Sequence, residues 1–84
     1  MNPGDQAWVL TFYDPARCRY KVTPTTVCDT LEGGSYLMRW PNGGLGAVMR
    51  DRTFPSKAEA RAGAKKLLTE YHNSGYDWRE SNDL

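Results

Sequence analysis

The stretch RTFPSKAEARAGAKKLLTEY, residues 52–71, decides the fold, because it contains a helix whose start is written in its side chains. Ser56 stands three residues before Glu59, the spacing of a capping box: the serine oxygen takes a backbone N–H left without a partner in the first turn, and the glutamate reaches back to the cap. A helix over about 57–72 follows. Ala60, Ala64, Leu67, Leu68 and Tyr71 fall on one stripe, the arrangement a helix needs to pack on a sheet. Ala and Gly near the start allow close approach to the strands. Asn73 or Gly75 tolerates the left-handed conformation that ends a helix, and His72 suits the negative end of its dipole better than it suits catalysis.

Upstream of the helix, SYLMRW and LGAVMRDRTF flank PNGG, where Asn42, Gly43 and Gly44 can take the positive φ values of a tight hairpin. Strands are therefore expected over about 35–40 and 45–53. Nearer the N-terminus, AWVLTFY puts Trp8, Leu10 and Phe12 on one face of an extended chain and Val9, Thr11 and Tyr13 on the other, a strand over about 7–13 buried on both sides. DPARC supplies a turn. RYKVT then alternates apolar and basic residues over about 19–23, a half-exposed strand stopped by Pro24. TPTTVCDTLEGGS reads as an irregular connector. The tail YDWRESNDL is polar apart from Tyr76 and Trp78, so residues 76–84, like 1–6, are expected to be loose, unless the two aromatics fold back over the domain.

The architecture expected from these elements is α+β in a single domain: a four-stranded antiparallel sheet with one C-terminal helix packed on one face. The other face of such a sheet stands in water. At 84 residues the chain can bury only about 60% of its unfolded surface, so the core is thin and the aromatics, 12% of the chain, must do much of the burying. The first residues, MNPGDQAWVLTFY, lack the basic start of a signal peptide, and their apolar run is far shorter than the roughly 20 residues that cross a bilayer. A cytoplasmic protein without a membrane partner is the expectation. Cys18 and Cys28 match no CxxC spacing and read as reduced thiols.

Charge is segregated along the chain although the total is only +1. Residues 33–66 hold seven basic residues, Arg39, Arg50, Arg52, Lys57, Arg61, Lys65 and Lys66, against Asp51 and Glu59, a balance of +5. Residues 67–84 hold Arg79 against Glu70, Asp77, Glu80 and Asp83, a balance of −3. On the helix, Arg61 and Lys65 share one flank with Lys57 above them, and together they can share a surface with the hairpin arginines. Such a cluster either attracts phosphates or is a solvated flank with snorkelling side chains.

The segment YLMRWPNGGLGAVMRDRTFPSKAEARAGAKKL, residues 36–67, resembles the N-terminal arm-type DNA-binding domain of phage tyrosine recombinases. Tyr36, Arg39, Trp40, Gly43, Phe54, Lys57, Glu59 and Ala60 fill the places of that family's strand, Gly-rich turn, second strand and capped helix. The resemblance implies a small antiparallel sheet laid in the major groove, with Arg39, Arg50 and Arg52 facing the bases. The ending SKAEARAGAKKLL also resembles the last helix of double-stranded RNA-binding domains, whose first helix has no counterpart here. In general character the chain is similar to small phage-encoded inhibitors of host machinery, anti-CRISPR proteins among them.

Catalysis would need an acid–base pair, a nucleophile with its base, a metal cluster or a cofactor loop, and the sequence offers none: His72 is the only histidine and GGLG lacks the spacing of a dinucleotide loop. The expectation is a protein that is not an enzyme, with no cofactor and no metal. Its partner would be a host protein or protein–nucleic-acid complex, docked and inhibited through Tyr36, Arg39, Trp40, Arg50, Arg52, Lys57, Arg61 and Lys65. Direct nucleic-acid binding in the arm-type manner is the alternative.

Overall fold

The computed structural model describes residues 1–14, 16–72 and 78–81, with the backbone alone at 12, 13, 71 and 72. The chain is α+β and has, among the described residues, one α-helix, α1 (Lys57–His72), and strands β1 (Gln6–Asp14), β2 (Arg19–Thr30), β3 (Ser35–Arg39), β4 (Leu45–Met49), β5 (Thr53–Phe54) and β6 (Arg79–Glu80). Antiparallel pairing gives the order β4-β3-β2-β1-β5, and β6 lies parallel to the start of β2. The facing of Phe12 and Tyr13, the place of Tyr71 in the stripe, the role of His72, the helix end at Asn73 or Gly75 and the fate of Tyr76 lie outside the described residues.

Among the described residues the sheet has six strands rather than the four expected. Residues 24–30, expected as an irregular connector, continue β2. Val27 exchanges hydrogen bonds with the β1 side, accepting from Gly4 at 2.7 Å and donating to Asp5 at 2.9 Å. Bonded positions alternate along an antiparallel ladder, so Pro24 turns its missing N–H away from β1. β3 joins that edge only from Thr26 onward, so no ladder bond is lost at the proline. Residues 45–53, expected as one strand, are broken by a 3-10 turn at Arg50–Arg52, in which Thr53 Oγ1 donates to Met49 O at 3.0 Å.

That break curls the sheet. β4 and β5 are its two edges, yet only four peptide units separate Met49 from Thr53, a reach of about 14 Å at full extension. The edges of a flat five-stranded sheet would stand about 19 Å apart. Bulges between Leu10 and Phe12 and between Val27 and Asp29 add the local twist that closure requires. The face expected in water is consequently an interior, where Ala7, Val9, Val27, Tyr36, Met38 and Val48 form one core.

The outer face of β1 and β2 carries the second core. Leu10, Tyr20 and Val22 pack against Ala60, Ala64 and Leu68 of α1 and against Trp78, with Phe54 and Leu67 at the margin. Full burial of a side chain such as Leu68 contributes about 1.5–3 kcal/mol. The helix starts as its sequence prescribes: Ser56 Oγ accepts the Glu59 N–H at 3.2 Å, and the serine hydroxyl lies 3.4 Å from the Glu59 carboxylate.

Residues 78–81 do not hang loose. Trp78 is 2% exposed, the Arg79 N–H donates to Cys18 O at 3.0 Å, and the Ser81 N–H donates to Tyr20 O at 2.6 Å. At the other end, residues 1–6 are exposed, but Gly4 is tied to Val27 and Gln6 opens β1. Neither Cys18 nor Cys28 is in a disulfide. Among the described residues no helix is long and apolar enough to cross a membrane.

Candidate functional site

The β3–β4 hairpin positions the site. Its turn is closed by the Gly43 N–H donating to Trp40 O at 2.9 Å and the Trp40 N–H donating to Gly44 O at 2.8 Å, while Asn42 Oδ1 accepts the Gly44 N–H at 2.9 Å. Along β3, Tyr36, Met38 and Trp40 alternate with Leu37 and Arg39, so the aromatics share the interior and Arg39 is on the outer face. Gly46 lets the Trp40 indole lie across β4, since a Cβ there would stand 2.9 Å from the indole nitrogen.

Between Trp40 and the 3-10 turn, the curled sheet leaves a cavity of about 550 Å³ where β4 faces β1 across the seam. Val9, Thr11, Thr23, Trp40, Val48 and Arg52 form most of its wall. Thr11 and Thr23 share a hydroxyl hydrogen bond of 2.8 Å. Arg52 Nε is buried and has no hydrogen-bond partner among the described residues. An unpaired buried N–H costs the desolvation it has lost, and Arg52 also brings a positive charge to the cavity wall.

The eight residues expected to form one binding surface divide into two groups. At the hairpin, Tyr36 and Trp40 are turned inward, Arg50 lies over the Tyr36 ring at 5.7 Å, Arg52 lines the cavity, and Arg39 stands on the opposite face beside Leu45, its partner in register. On α1, Lys57 lies over the Trp8 ring at 5.5 Å and Lys65 is exposed. Arg61 donates from Nε and Nη2 to Glu80 Oε2 at 3.2 and 2.9 Å, so the folded-back tail answers much of its charge.

Val9, Thr11, Thr23 and Val48 were not among the sequence candidates: β1–β2 pairing sets Val9 and Thr11 beside Thr23, but only closure of the sheet brings Val48 to them. The Arg61–Glu80 pair had a signal, a −3 tail following a +5 segment, that placed opposite charges within one small domain. Where the tail docks, burial first, and then the Glu80 carboxylate, push the Tyr20 hydroxyl above its ordinary value, with Arg61 opposing. The hydrogen bond to Glu80 raises Arg61 further. Among the described residues no group of three His, Cys, Asp or Glu side chains could hold a metal ion. No protein-family model matches the chain, and no curated protein matches it either.

Proposed function

We propose that the chain is a non-catalytic binding protein that docks on a host protein or protein–nucleic-acid machine and inhibits it, with the β3–β4 hairpin as its contact surface. The observation that carries this reading is apolar exposure where the helix does not reach. Leu45 is 56% and Met49 58% exposed on β4, with Arg39 and Arg50 beside them. Exposed apolar side chains next to arginine and an aromatic-walled hollow have the composition of interface hot spots. The basic segment around them favours a target with an acidic surface.

Affinity capture from host lysate with the tagged chain, with and without nuclease, tests the proposal. The expected result is a stoichiometric protein partner that survives nuclease and is lost with Met49→Glu, an exposed substitution that leaves the fold intact. Recovery of no protein at stoichiometry overturns it. Capture that disappears with nuclease replaces it by direct nucleic-acid binding through Arg39, Arg50 and Arg52.

A further inference from the structure

β4 is the edge of the sheet on the side away from β3. The bond from the Trp40 N–H to Gly44 O fixes the alternation of the hairpin: Met38 with Gly46 and Tyr36 with Val48 exchange hydrogen bonds. Leu45 and Ala47 therefore turn their backbone N–H and C=O outward, along the seam. Ala47, Val48 and Met49, three consecutive residues pointing to both faces, all line the cavity, so the backbone edge itself forms part of its wall. β4 contains no proline, lysine or acid to discourage pairing, unlike most free edges.

We infer that this seam is the seat of an extended partner segment that adds as a strand to β4, places an apolar side chain in the cavity and carries an internal Asp or Glu to Arg52. The inference rests on the docking reading above and names its mode. A strand laid along β4 would direct alternate side chains into the cavity, about 7 Å apart. The apolar part of the wall is formed by Trp40, Val9, Leu10 and Val48. Arg52 brings a positive charge to the same wall, and a carboxylate beside its guanidinium would gain a charge-assisted bond. The apolar residue and the acid should thus stand two or four positions apart.

A second copy of this chain does not fit the seat. The side chains that its own β4 would direct inward are Gly46, which has none, and Val48, which already belongs to the interior core. Neither fills a hollow of this size, and neither brings a carboxylate to Arg52.

Panning a display library of random linear dodecapeptides against the intact chain tests the inference. Selected peptides should share an acid two or four residues from a large apolar residue. Synthesised with amidated C-termini, they should protect the Leu45 and Ala47 amides from hydrogen exchange. Replacing the peptide's acid by its amide should weaken binding about 10- to 100-fold, and Arg52→Gln should remove that difference. The peptide substitution keeps the test independent of how well the Arg52 variant folds. Failure to select any peptide, a consensus without an acid, or a footprint on α1 or around Arg39 overturns the inference. So does a concentration-dependent dimer that protects the same two amides. A captured protein partner whose binding ignores both Arg52→Gln and the selected peptides leaves the docking reading standing and removes this one.

Discussion

Replacing a glycine inside a helix by alanine ordinarily gains about 1 kcal/mol, but at Gly63 the added Cβ would run into the ring of Phe54. Phe54 is half-buried at the margin of the outer core, and overpacking such a contact costs about 1–3 kcal/mol. Gly63→Ala should therefore lower the midpoint of denaturant unfolding. Adding Phe54→Leu should recover part of the loss, and a single variant more stable than the parent would show the ring free to move. Tyr20 makes a prediction about pH. Burial and Glu80 raise its folded-state value above the ordinary one, which is about 10 in the unfolded chain. The sign follows from proton binding: above pH 10 the unfolded chain releases a proton that the folded chain keeps, so stability falls as pH rises. Stability from this group is complete below about pH 10 and is lost as pH rises through the folded-state value. Tyr20→Phe should flatten the alkaline loss relative to the parent in urea unfolding followed from pH 8 to 11; parallel curves would place the hydroxyl in water.

Elements whose signals are local were legible in the sequence, and those fixed by distant contacts were not. The helix could be read because Ser56 and Glu59 settle its start within four residues, and the hairpin because PNGG allows little but a turn. The continuation of β2 was hidden behind Pro24, a residue that stops a strand only where its missing N–H faces a neighbour. The split of 45–53 into β4, a turn and β5 depends on pairing between Thr53 and Val9, partners 44 residues apart in the sequence numbering. The cavity was illegible for the same reason, since Val48 meets the paired Val9 and Thr23 only after the sheet curls. The tail shows how a short element can matter beyond its length. β6 has two residues, but it carries Trp78 into the outer core, and truncating a buried tryptophan costs about 3–5 kcal/mol. Trp78→Ala should consume a large part of the 5–15 kcal/mol typical of a whole domain. Thermal unfolding should register it as a marked fall in Tm, and a change of only a degree or two would mean that the tail is dispensable.

On the scale of the whole molecule, the question is whether the basic residues act together. The sequence groups seven of them within 34 residues, which taken as one patch would be enough to grip a duplex. Folding separates them. Arg61 is bonded to Glu80, Lys57 covers Trp8, Arg50 covers Tyr36, and Arg39 faces away from the cavity that Arg52 lines. Even if Arg39, Arg50 and Arg52 each met a phosphate, counterion release of about 0.9 per contact gives a slope of about −2.7 in log K against log salt. Between 50 and 200 mM salt such binding weakens only about 40-fold, against the factor of about 10³ or more expected of a protein with six or more phosphate contacts. Fluorescence anisotropy with a labelled random-sequence duplex should thus return weak binding and a slope no steeper than about −3. Lys65→Glu should leave that slope unchanged, because this lysine lies on the helix, apart from the hairpin arginines. A slope of about −6, reduced by the Lys65 reversal, would mean that helix and hairpin grip one duplex together, and the docking reading would then yield to nucleic-acid binding.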